Sequence, residues 1–94
     1  EEISLTQVLH ALSDPTRLQL VRCLAEAEEE RQCSSLMDSM SKSTLSHHFR
    51  VLREAGVIFS RPEGTRILNS LRRDDLDTQF PGLLDSILKA KGKL

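Results

Sequence analysis

The chain has 94 residues, 38% of them apolar, which suffices for one compact domain spanning residues 1–94 and is too little for two. Its aromatic residues are Phe49, Phe59 and Phe80, with no Trp or Tyr, so there is no stacking platform for single-stranded nucleic acid of the OB or RRM kind. The net charge of −1 hides an asymmetry: residues 1–40 hold three basic against eight acidic side chains, whereas residues 41–73 hold seven basic (Lys42, Arg50, Arg53, Arg61, Arg66, Arg72, Arg73) against Glu54 and Glu63. A basic middle third in an acidic chain is a footprint for a polyanion confined to one face.

In chain order, Ile3, Leu5, Val8, Leu9 and Leu12 recur at three- and four-residue spacing and predict an amphipathic helix over 3–12. Asp14 is a good N-cap and Pro15 a good first helical residue, so a second helix begins there, with Leu18, Val21 and Leu24 on one face. Glu26 to Glu30 reads as an acidic, weakly structured edge. A short third helix is expected near Cys33 to Met40. Ser41 then caps a fourth helix over 42–55, closed by Gly56, which tolerates the left-handed conformation of a helix C-terminus.

After Gly56 the period becomes extended. Val57 to Arg61 and Arg66 to Leu71 flank Pro62-Glu63-Gly64-Thr65 and predict a hairpin over 57–71, with the turn at Pro62 to Thr65. Asp74 and Asp75 open a last helical region over 74–90, bent after Gln79 because Pro81 does not sit deep inside a helix. The sum is a mainly α fold with a small β-hairpin, in the order α-α-α-α-β-β-α of a winged helix-turn-helix. A domain this small gains from a further interface, so a homodimer is expected.

At 3.6 residues per turn, Leu45, His48, Phe49, Leu52 and Ala55 share one stripe of the fourth helix, and Ser43, Ser46, His47 and Arg50 share the other. A recognition helix needs this arrangement: its polar first turns enter the major groove while its apolar side holds it on the domain. Ser41, Lys42, Ser43 and Thr44 suit phosphate, through hydroxyls, an ammonium and the unpaired N–H groups of the first turn. Ser46, His47 and Arg50 suit base edges, and His48 braces the fold. Arg61 and Arg66 beside the hairpin turn suit the flanking backbone or the minor groove.

Three stretches carry a resemblance: Ala11 to Leu18 (ALSDPTRL), Ser41 to Phe49 (SKSTLSHHF) and Val51 to Ile58 (VLREAGVI). In this order and with these gaps they closely resemble the ArsR/SmtB family of bacterial winged-helix repressors, over nearly the whole chain. The resemblance implies a homodimer paired through the first and last helices that binds a pseudo-palindromic operator and releases it when an inducer binds. It also implies that Ser43, Thr44, Ser46 and His47 read DNA and that Arg61 to Arg66 form the wing.

Many members of that family sense metals, and the ligand positions are incomplete in this chain. The family's third-helix motif places two cysteines around one residue; the matching stretch Glu30 to Leu36 holds Cys33 alone. A single thiolate does not supply the three or four ligands of a Zn, Cd or As(III) site. The other family site uses Asp and His on the last helix, where Asp74, Asp75, Asp77 and Asp85 occur without a histidine. We therefore expect no cofactor and an inducer other than a standard metal, with a site built from His10 and Cys33 across a dimer as the non-standard alternative.

Cys23 and Cys33 are too few for a disulfide framework and suit a reducing cytosol. The thiols still leave a redox-sensing alternative. Cys33, before a short helix and near Arg31, is the candidate thiolate, and Cys23 reads as a small buried apolar residue. An enzyme is not expected, since no nucleophile elbow, phosphate loop or metal pair is present. A winged helix used as a protein-interaction module is the other alternative. No apolar run approaches the roughly 20 residues that span a bilayer, and Glu1-Glu2 does not open a leader, so a soluble cytoplasmic chain without a membrane partner is expected.

Overall fold

The computed structural model describes residues 2–27 and 33–92. Among the described residues, six helices and one hairpin follow in the order α1 (Leu5–Leu12), α2 (Pro15–Glu26), α3 (Ser34–Asp38), α4 (Lys42–Glu54), β1 (Ile58–Glu63), β2 (Arg66–Leu71), α5 (Arg73–Gln79) and α6 (Leu83–Lys89). The acidic edge proposed for Glu26 to Glu30 divides: Glu26 is the last residue of α2, and 28–30 lie outside the described residues, as does Arg31.

Side-chain caps set three of the helix starts. Ser4 accepts a hydrogen bond from the Gln7 N–H, which moves the start of α1 two residues past the expected Ile3. Ile3 is instead buried, and its side chain closes over Gly56. Asp14 accepts from the Arg17 N–H at 3.0 Å ahead of Pro15, and Ser41 accepts from the Thr44 N–H at 3.2 Å ahead of α4. Gly56 has φ +83°, and a Cβ there would approach the Ile3 side chain to 3.1 Å, so the position ends α4 and admits Ile3 at once.

The Arg17 backbone hydrogen bond holds the Asp14 carboxyl below its ordinary value of 3.8; burial opposes this, and the Arg17 charge adds to it. A carboxylate with a lowered folded pKa stabilises the fold above its unfolded value, and the contribution disappears as pH falls below about 4. Asn caps a helix as well as Asp does but does not titrate. Urea unfolding between about pH 5 and about pH 2 should therefore show a shallower acid loss in Asp14→Asn than in the parent; identical profiles would contradict this assignment.

The core joins Val8, Ala11 and Leu12 of α1, Leu20 and Val21 of α2, Phe49 and Leu52 of α4, Val57 and Ile58 at the hairpin, and Leu76 and Leu84 of α5 and α6. On α2 the buried stripe is Arg17, Leu20 and Val21, while Leu18 and Leu24 are half-buried, a rotation from the face read in the sequence. Helix α3 is shorter than 33–40 and buries none of its five residues fully.

The hairpin is antiparallel, with Ile58 opposite Leu71 and Glu63 opposite Arg66. That register leaves a two-residue turn at Gly64-Thr65 and puts Pro62 inside β1, not in the turn where the sequence suggested it. Both strands are edges, where a missing proline N–H is tolerated, and Gly64 at φ +62° supplies the left-handed first turn residue. The last helical region is two helices broken at Phe80 to Gly82, and α6 begins at Leu83, after Pro81 and the left-handed Gly82.

Candidate nucleic-acid interface

Helix α4 crosses the domain with one side in the core. Phe49 and Leu52 are buried, Leu45 and His48 half-buried, and Ser43, Ser46, His47 and Arg50 exposed. Ser41, Lys42 and Thr44 are exposed at its start, so the hydroxyls and the ammonium share one edge. The Ser41 hydroxyl is occupied as the cap: it accepts from the Thr44 N–H and donates to Thr44 Oγ1 at 2.8 Å. Its role is thus to form the helix start, which leaves the Lys42 and Ser43 N–H groups for an anion.

The two histidines diverge. Their ring centroids lie 5.7 Å apart at 52°, with His47 outward and His48 turned to the domain, where its Nδ1 lies 3.3 Å from Nη1 of Arg17. A guanidinium offers donors and no acceptor, so Nδ1 accepts and the ring proton sits on Nε2. Arg17 Nε also donates to the Ala11 carbonyl at 2.7 Å. One buried side chain therefore joins the end of α1, the start of α2 and the middle of α4. The sequence reading missed this residue, although Arg17, Leu20, Val21 and Leu24 share helical spacing that places the arginine on the apolar stripe.

The hairpin divides by alternation into two faces. Ile58, Ser60 and Asn69 face the domain: Ile58 and Asn69 are buried, and Ser60 receives Arg53 Nη1 from α4 at 3.5 Å and donates to Asn69 Oδ1. Arg61 and Arg66 fall together on the opposite face, with Glu63 paired across from Arg66. The Arg61–Glu63 pair spans 3.5 Å with both side chains about two-thirds exposed (64% and 63%), a weak contact that an incoming phosphate can replace.

The basic third is smaller than its charge count. Arg72 pairs with Asp75 at 3.0 Å and Arg73 with Asp85 at 3.2 Å, which offsets the charge of the two arginines at the start of α5. Among the described residues, Lys42, Arg50 and Arg66 have no acidic partner and remain available. Arg53 was missed as a member of the outward stripe. Ser43, Ser46, Arg50 and Arg53 recur at spacings of three, four and three, a signal present in the sequence.

The sequence leaves open whether the two cysteine sulfurs meet, and the structure brings them together. Cys23 and Cys33 are joined by a disulfide with Cα atoms 6.0 Å apart, and Cys33 is buried. A bonded sulfur is neither a free thiolate nor a metal ligand, so in this covalent state the thiolate at Cys33 and the His10/Cys33 metal site are both unavailable. His10 lines a separate hollow with Gln7, Val51, Glu54 and Ala55.

Residues 14–60, half of the chain, match the bacterial regulatory proteins of the arsR family. The chain is 36% identical over 83 residues to the HTH-type transcriptional regulator YceK of Bacillus subtilis (strain 168), spanning 86% of this chain and 83% of that protein. It is 29% identical over 90 residues to the transcriptional repressor SdpR of the same organism, spanning 96% and 100%. Among solved structures it is similar to a possible transcriptional regulatory protein of Mycobacterium bovis (TM-score 0.67, 26% identity, 90% of each chain). It is also similar to the transcriptional repressor BigR of Xylella fastidiosa (TM-score 0.58, 29% identity, 80% and 84%). With a helix-turn-helix and hairpin of this geometry and these relatives, the chain belongs to the arsR family of bacterial regulatory proteins and is a DNA-binding transcriptional regulator, not an enzyme.

Proposed function

We propose that the protein is a homodimeric, sequence-specific repressor that lays α4 in the major groove of an operator, flanks it with the hairpin, and leaves it in response to an inducer other than a standard metal. The observation that carries the reading is the exposed stripe of α4, where Ser43, Ser46, His47 and Arg50 face solvent beside the unpaired Lys42. Lys42, Ser43, Thr44 and, from the hairpin, Arg61 and Arg66 meet phosphates; Ser46, His47 and Arg50 meet base edges. The relatives SdpR and BigR, both described as transcriptional repressors, support the direction of regulation.

Self-pairing is supported by a second apolar face. Helix α1 buries Val8, Ala11 and Leu12 yet leaves Leu5 and Leu9 each 45% exposed. Leu9 and Leu12 adjoin Leu18 and Ile87 in a hollow of about 310 Å³ between α1, α2 and α6. A two-fold axis there buries both copies' leucines with one contact.

The division of labour is testable. Ser46→Ala or His47→Ala should relax base preference in a binding-site selection. Lys42→Ala or Arg66→Ala should weaken binding to all sequences and flatten the salt slope by about one. A changed base preference in Arg66→Ala would overturn the assignment of the hairpin to the backbone.

A further inference from the structure

Cys33 sits at the N-terminal end of α3 and is bonded to Cys23 on α2, ten residues back in the chain. Five residues are far too few for a helix to stand alone. What holds α3 against the domain is half-buried Leu36 and Met37, Met40 just beyond it, and this bond. Three residues separate α3 from α4, which begins with the end that carries Lys42, Ser43, Ser46 and His47. The far end of α4 is fixed independently by Phe49, Leu52 and the Gly56–Ile3 contact. The bridge therefore acts on the end of α4 that faces DNA.

We propose that the Cys23–Cys33 pair is a redox switch on DNA binding, with the disulfide form the tight-binding one; the inference rests on the DNA-binding reading above. Disulfides in the thiol-rich compartment that holds bacterial DNA are usually transient and redox-sensing. Cys23 is half-buried and Cys33 fully buried, so the Cys23 thiol meets the oxidant first and Cys33 resolves it.

The oxidant is a hydroperoxide. Its O–O bond breaks as the Cys23 sulfur takes one oxygen, forming a sulfenic acid and releasing an alcohol. The Cys33 sulfur then displaces that oxygen, the S–S bond forms, and water leaves with the second thiol proton. Two electrons pass from the sulfurs to the peroxide, and exchange with a dithiol returns them.

Reduction frees α3 and lowers the fraction of molecules in which α4 is set for the groove, and apparent affinity falls with that fraction. The test uses the chain reduced with dithiothreitol, oxidised with cumene hydroperoxide and re-reduced, with thiols counted at each step. Binding is measured to duplexes selected from a randomised pool, with separate selections on each form, and amide exchange is followed in α3 and the first turn of α4.

The oxidised form should bind about tenfold more tightly, protect the α3 amides more, and revert on re-reduction. Cys23→Ala should bind like the reduced chain under both conditions. Equal affinity after full thiol loss, tighter binding by the reduced chain, or two thiols persisting through hydroperoxide treatment overturns the switch while leaving DNA binding intact. Duplex binding by neither form overturns both readings.

Discussion

Replacing Arg17 by methionine should lower the unfolding free energy by about 3 kcal/mol, more than any exposed substitution in the chain. The methionine fills much of the same volume but makes neither of the side chain's contacts. The Ala11 carbonyl loses its 2.7 Å donor at a buried position where water does not readily replace it, and half-buried His48 Nδ1 loses its 3.3 Å donor. An unsatisfied buried acceptor costs about 1–3 kcal/mol. Lysine should recover only part of the loss, since one ammonium on a flexible stem does not reproduce the fork that reaches α1 and α4 together. Urea denaturation measures both; a cost for methionine within about 0.5 kcal/mol, the usual range for surface sites, would show that Arg17 is not the brace between α1, α2 and α4.

The second large effect separates folding from binding. Ser43→Glu places a negative charge in the first turn of α4, where the helix dipole favours it by about 0.3–1 kcal/mol. The same charge would face phosphate oxygens in the groove, and like-charge juxtaposition at an interface costs several kcal/mol. The variant should melt at or slightly above the parent temperature while its duplex affinity falls about a hundredfold. Affinity within threefold of the parent would mean that the first turn of α4 does not approach DNA.

The parts of this fold legible in the sequence were those decided by local chemistry. Asp14-Pro15 and Ser41 mark helix starts because a side-chain oxygen meets an N–H three residues on, and Gly56 marks a stop because its φ is positive. The stripe of α4 follows from its period.

What the sequence concealed depends on tertiary partners. An arginine reads as exposed until the Ala11 carbonyl and His48 are placed around it. Arg72 and Arg73 count toward a basic patch until Asp75 and Asp85 are seen beside them. Pro62 reads as a turn residue until the hairpin register seats it in an edge strand. Two cysteines ten residues apart carry no distance; the fold sets the start of α3 beside α2, with the two Cα atoms 6.0 Å apart.

For the site, the exposed residues of α4 could be named in advance, whereas Arg53 was passed over although it continues the same stripe. Arg61 and Arg66 lie near the turn as expected, but on the hairpin face turned away from α4, a consequence of the pairing register.

The central claim is that α4 and the hairpin present cations to duplex DNA. The most direct measurement is the affinity for a duplex, selected from a randomised pool, across a series of salt concentrations. Lys42, Arg61 and Arg66, the phosphate-facing cations, from each of two protomers would displace about six counterions, a slope of log K against log salt of roughly −5. A slope near zero, or no duplex binding at low salt, would contradict the account.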